Sequence, residues 1–172
     1  MKKNIVLIGF MGTGKSSVGQ KLAERLNMQF IDMDREIENL IGLPVKEIFR
    51  RYGEVRFRSE EKLMSQKLGS KQNLVIATGG GTTLSQENVD ILRENGIMIN
   101  LTADAADILH RVSRKKGTRP LLGKNPGLAD IETLLREREP IYACADLTVN
   151  TSNKTVSEVV DEVFSLIMGY QG

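Results

Sequence analysis

The segment NIVLIGFMGTGKSSVGQKLAERL, residues 4–26, constrains the fold more than any other part of the chain. Residues 4–9 form an apolar run rich in β-branched side chains, the pattern of a strand buried on both faces of a parallel sheet. Val18, Leu22 and Leu26 then recur at spacings of four and mark one stripe of a helix. Between them lies GFMGTGKS, which fits G-x-x-x-x-G-K-[ST] with Gly9, Gly14, Lys15 and Ser16 in the fixed places. Glycines let the backbone turn several N–H groups toward one phosphate chain, and the following helix adds its positive N-terminal end. Lys15 is placed to meet the β- and γ-phosphates, and Ser16 offers an oxygen to Mg²⁺. Four fixed places can match by chance, but here a strand precedes them and a helix follows, as phosphate binding requires. The segment therefore reads as a nucleoside triphosphate site.

The rest of the chain alternates in the same way. Strand-like runs occupy residues 29–34, 74–78, 97–101 and 147–150. Helical stretches are expected at 35–41, 45–52 and 54–68, separated by Leu43-Pro44 and by Gly53. Further helices are expected at 85–94, with Ser85 as N-cap, at 105–114, at 131–138, stopped by Pro140, and at 156–168. No repeat or linker interrupts this order, which predicts one α/β domain over residues 1–172 with a parallel sheet covered on both faces. Ligands in such folds bind at the carboxyl ends of the strands. Those ends are polar or glycine-rich here: 9–16, 32–34, 79–81, the stretch after Leu101, and 150–154.

Composition removes several classes of function. Lys and Arg number 24 against 22 acids, a net charge of +2 with no continuous basic stripe, so no nucleic-acid partner is expected. Cys144 stands alone, which excludes an internal disulfide, and no Cys/His cluster offers a zinc site. No apolar run approaches the ~18 residues of a membrane span, and no signal-peptide cleavage pattern is present. A cytoplasmic location is the expectation.

The acceptor side is less sharply marked. In FIDMD, period-two alternation along a strand would put Asp32 and Asp34 on one face. Two carboxylates in a phosphate site are unfavourable unless a metal or a hydroxyl uses them. One could support Mg²⁺ and the other a substrate hydroxyl. The competing reading is a pair of acids capping the next helix. In LVIATGGG the strand ends on Thr78 and three glycines rather than on an acid, which makes Asp32 the better metal candidate. Gly79, Gly80 and Gly81 allow close backbone approach to a ligand, or form a bare tight turn. Arg58 and Arg138, if both face the cleft, would clamp a carboxylate or phosphate. Arg56 reads as a salt-bridged surface residue. The stretch KKGTRPLLGKNPG, residues 115–127, is irregular and basic; it reads as a lid with Arg119 near developing negative charge, or as a plain surface loop.

In order, GFMGTGKSSVG, FIDMD, EIFRRYGEVRFRSEE, ATGGG, RPLL and REREPIY closely resemble the shikimate kinase family along nearly the whole chain. The resemblance implies a monomeric P-loop kinase of the nucleoside-monophosphate-kinase type with a five-stranded parallel sheet in order 2-3-1-4-5. It implies substrate-binding helices at about 33–61 and a mobile lid at about 113–127. The implied reaction transfers the ATP γ-phosphoryl to the 3-hydroxyl of shikimate with Mg²⁺, on the route to chorismate and the aromatic amino acids.

Carried over to this chain, Gly12, Thr13, Gly14, Lys15, Ser16 and Ser17 resemble the ATP phosphate loop. Ser16 and Asp32 resemble the metal's partners. Asp34 resembles the ligand and base of the substrate hydroxyl, Arg58 and Arg138 the carboxylate clamp, and Gly79, Gly80 and Gly81 the backbone contact to shikimate. Lys15 and Arg119 resemble the groups that stabilise the transferred phosphoryl. For the adenine, Arg111 and Lys154 occupy the candidate places. Two other functions compete: a kinase of another hydroxy acid such as gluconate, and a P-loop ATPase or switch.

Overall fold

In the computed structural model, residues 3–114 and 126–171 are described. The chain opens with β1 (Asn4–Ile8) and α1 (Lys15–Leu26), followed by β2 (Gln29–Asp32), α2 (Met33–Ile41) and α3 (Val45–Gly69). Next come β3 (Leu74–Ala77), a 3₁₀ turn (Thr82–Leu84), α4 (Gln86–Glu94) and β4 (Gly96–Thr102). The remainder is α5 (Ala105–Ser113), α6 (Leu128–Tyr142), β5 (Leu147–Asn150) and α7 (Val156–Gly169). The strands form one parallel sheet in the order β2-β3-β1-β4-β5, as the resemblance implies.

All five residues of β1 are buried, because side chains alternate between two covered faces. Val6 and Ile8 join Ile76 and Met98 beneath Ile37, Ile48, Phe57, Leu68, Leu92 and Ile131. Ile5 and Leu7 face the other way, onto Val18 and Leu22 of α1 and Val159 and Val163 of α7. Full burial of each such aliphatic side chain contributes about 1.5–3 kcal/mol. This two-sided core holds the strands rigidly and presents their carboxyl ends along one edge of the molecule.

Two glycines are demanded by that geometry. Gly9 has φ of +136°, and a Cβ there would run into the Leu101 carbonyl oxygen of β4, so the loop after β1 turns only with glycine. Gly53, at φ 79° and ψ 173°, kinks α3 at the expected break.

The structure corrects two expectations. β2 ends at Asp32, and Asp34 sits in the first turn of α2, so strand alternation does not bring the two acids together. The Asp32 side chain accepts a hydrogen bond from the Arg35 N–H at 3.3 Å, and this cap starts the helix where the strand was expected to continue. The capping alternative therefore holds for Asp32. The second correction concerns Pro140, which lies inside α6 rather than beyond its end. A proline in the last turn removes one donor, while Tyr142 beyond it is buried and anchored, so tertiary packing carries the helix through. The expected helix at 85–94 is confirmed, with the Ser85 hydroxyl accepting from the Asn88 N–H.

Candidate active site

The carboxyl ends of β1, β2 and β3 open onto a cleft of about 650 Å³, walled by α2, the first part of α3 and α6. Gly12, Gly14, Lys15, Ser16 and Ser17 line it at the phosphate loop, and Thr13 is buried behind them with its hydroxyl on the Phe10 carbonyl at 2.8 Å. Lys15 Nζ donates to the carbonyls of Gly9 at 2.8 Å and Phe10 at 2.9 Å, which centres its charge inside the loop. Arg111 lines the cleft and braces the loop's rim, donating to the Gly12 carbonyl at 3.1 Å and the Thr151 hydroxyl at 3.0 Å. Lys154 is not part of the lining; it pairs with Glu162 at 2.6 Å.

Both acids reach the cleft, Asp32 from its cap and Asp34 from the first turn of α2. Ser16 Oγ donates to Asp32 Oδ2 at 2.6 Å. This pair of hard oxygens beside a phosphate cradle fits Mg²⁺, which is usually held by one or two carboxylates together with substrate phosphates. Among the described residues no group of three or more His, Cys, Asp or Glu could hold a metal unaided. Asp34 is different. Its Oδ1 is sealed from solvent with no hydrogen-bond partner. Burial, reinforced by the Asp32 and Glu61 carboxylates and opposed by Lys15, pushes its carboxyl from 3.8 up to about 7. A carboxylate so placed can accept a proton from a hydroxyl near neutral pH.

The turn after β3 supplies the third wall. Thr78 ties it to β1, its N–H and hydroxyl meeting the Leu7 carbonyl at 3.0 and 3.1 Å. A Cβ on Gly79 would sit 2.8 Å from both Asp34 Oδ1 and Glu61 Oε1, and one on Gly81 2.5 Å from the Arg58 guanidinium. Those two glycines make room for the site's charged side chains. Gly80 is unlike them, since a Cβ there meets protein no closer than 3.5 Å.

Arg58 lines the cleft from α3, held by Glu61 at 2.5 Å and by Glu54 at 3.0 Å. Arg138 lines it from α6. Arg56 instead is exposed and pairs with Glu60, which is buried; the salt bridge is as expected. Arg119 and most of the expected lid fall outside the described residues.

Two side chains were missed in the sequence. Glu61 is 1% exposed and also accepts from the Thr82 hydroxyl at 2.8 Å; its i,i+3 spacing from Arg58 was the available signal. Tyr142 donates its hydroxyl to the Gly80 carbonyl at 2.6 Å across 62 residues of sequence, a pairing with no local signature.

A phosphate loop between strand and helix, an adjoining serine–aspartate pair and a second subsite with an acid and two arginines together define a P-loop kinase of a small acceptor. The chain belongs to the shikimate kinase family, whose sequence model, described as Shikimate kinase, matches residues 11–168. It is 50% identical to the shikimate kinase of Pelotomaculum thermopropionicum over 96% of this chain and 95% of that one. It is 46% identical to that of Caldanaerobacter subterraneus over 99% of each chain. The structure of shikimate kinase from Acinetobacter baumannii in complex with shikimate superposes with a TM-score of 0.93 at 35% identity, covering 99% of this chain and 96% of that one. As a member of this family the chain is an ATP-dependent kinase. Among the described residues no helix is long and apolar enough to cross a membrane.

Proposed function

We propose that this cleft transfers the γ-phosphoryl of ATP to the 3-hydroxyl of shikimate. The observation that carries the reading is Asp34: a buried carboxyl, raised to about 7, whose Oδ1 has no hydrogen-bond partner and which lines the same cleft as the phosphate loop, Arg58 and Arg138. Arg58 and Arg138 bind the acid's carboxylate, since guanidinium forks match planar anions. The Gly79–Gly81 turn meets the ring through its backbone. Asp34 hydrogen-bonds the 3-hydroxyl and takes its proton as the oxygen attacks. Lys15 exchanges loop carbonyls for phosphate oxygens, and the N–H groups of residues 12–17 hold the phosphate chain. Ser16 and Asp32 would hold Mg²⁺, which when bound neutralises charge on the phosphates.

Arg119, from a lid at about 113–127, completes this arrangement, with helices at about 33–61 as the acid-binding part of a single domain. The enzyme works as a cytoplasmic monomer with no nucleic-acid or membrane partner. The first test is ADP release from ATP and Mg²⁺ with shikimate, with quinate, with gluconate and with no acceptor. Strong dependence on shikimate is expected. Equal release without an acceptor would identify an ATPase or switch, and preference for gluconate a different hydroxy-acid kinase.

Gly80 gives a second test. The protein leaves room for a methyl group there, so Gly80→Ala should keep Tm within about 2 °C. Against a bound ring the same methyl group clashes, and the shikimate KM should rise at least about tenfold. An unchanged KM would remove Gly80 from the acid's contact surface.

A further inference from the structure

The Gly79–Gly81 turn poses a physical problem. Three successive glycines have more conformational freedom than any other tripeptide, yet a binding surface must be ordered before its ligand arrives. Two of the turn's carbonyls are satisfied locally: Gly79 accepts from the Thr82 N–H at 3.2 Å and Gly81 from the Leu84 N–H at 3.1 Å. The middle carbonyl, of Gly80, accepts instead from the Tyr142 hydroxyl at 2.6 Å. The peptide between Gly80 and Gly81 is planar and trans, so this bond also fixes the direction of the Gly81 N–H.

Tyr142 lies one helical turn beyond Arg138 on α6, at the i+4 spacing that puts two side chains on one face. Both residues line the cleft, and Tyr142 is 7% exposed. Its phenol feels the positive charge of both Arg138 and Arg58, yet burial dominates and raises it above the ordinary tyrosine range. The hydroxyl therefore remains a neutral donor throughout the working pH range.

We propose that Tyr142 is a positioning residue of the acid subsite: its hydroxyl orders the glycine turn before the acid arrives and ties that turn to the helix carrying Arg138. The inference rests on the reading of Arg58, Arg138 and the glycine turn as the place where the substrate's acid binds. In the empty cleft, water can replace the lost donor at the Gly80 carbonyl. With the acid bound that water is excluded, so the loss is felt mainly in the complex.

The experiment measures wild type, Tyr142→Phe and Arg138→Ala in parallel for the KM of shikimate, the KM of ATP, kcat and Tm. Phenylalanine keeps the ring and removes only the hydroxyl. Tyr142→Phe is expected to raise the shikimate KM about fivefold to tenfold, the effect of one hydrogen bond, with kcat and the ATP KM changing less than twofold. Tm should stay within about 3 °C. An unchanged shikimate KM in Tyr142→Phe, with a raised one in Arg138→Ala, overturns the proposal alone. An unchanged shikimate KM in Arg138→Ala overturns the acid-subsite reading and this inference with it. A parallel rise of both KM values with a large fall in Tm would show that the hydroxyl merely holds the fold, which also overturns it.

Discussion

Asp34→Asn should cut turnover by roughly 10²–10⁴-fold, the usual contribution of a general base, while leaving ATP affinity close to wild type. Near-normal turnover would remove Asp34 from any essential role. The same substitution should stabilise the protein, and the sign follows from the raised carboxyl. In the folded chain Asp34 holds its proton up to about 7, whereas 3.8 is its ordinary value. The folded state therefore binds the extra proton between those values, and its advantage is complete only below the lower one. It is lost as pH rises through the upper one, where a buried carboxylate must be carried with its Oδ1 lacking a hydrogen-bond partner. Asparagine has no such dependence. The Tm difference between variant and wild type should be small near pH 4 and grow to about 5–10 °C by pH 8. A difference independent of pH would show that Asp34 ionises as an ordinary surface acid. For the wild type, kcat/KM for the acceptor should fall as pH drops below about 7, as Asp34 takes up its proton.

Arg58→Ala is the second large effect, and it separates two roles of one side chain. Arg58 faces the cleft and also neutralises Glu61, which is 1% exposed. Truncating the arginine leaves that carboxylate buried with the Thr82 hydroxyl as its remaining side-chain partner, a loss of about 3–5 kcal/mol. The exposed pairing with Glu54 adds little. A Tm fall of about 10 °C is expected, together with a large rise in the shikimate KM. Arg58→Ala/Glu61→Gln removes the stranded charge and should recover most of the Tm without recovering the KM. If the double variant regained acid binding, the guanidinium would have no direct part in holding the substrate. If the single variant melted like wild type, the Arg58–Glu61 pair would be irrelevant to stability.

Parts of this site were legible because they are written in local patterns. The strand, glycine loop, lysine and helix of residues 4–26 need only steric rules and the period of each element, and all lie where expected. The Ser85 cap and the break at Gly53 were likewise local. Asp32 and Asp34 both line the cleft, but strand alternation is not what brings them there. A cap at Asp32 competes with strand continuation, and sequence alone does not weigh one against the other. The local effect of Pro140 on a helix is unfavourable and by itself predicts a stop, but a buried and hydrogen-bonded Tyr142 outweighs it.

By itself, then, the sequence determined the alternating α/β architecture, the phosphate loop and the residue types that line the cleft. These depend on periodicity and on chemistry carried within a few neighbouring residues. The tertiary structure alone decided the raised Asp34 carboxyl, the burial of Glu61 against Arg58 and Thr82, and the bond from Tyr142 to the Gly80 carbonyl. Each depends on which groups distant in sequence share a volume without water, and there burial and neighbouring charge set the strength of every polar interaction.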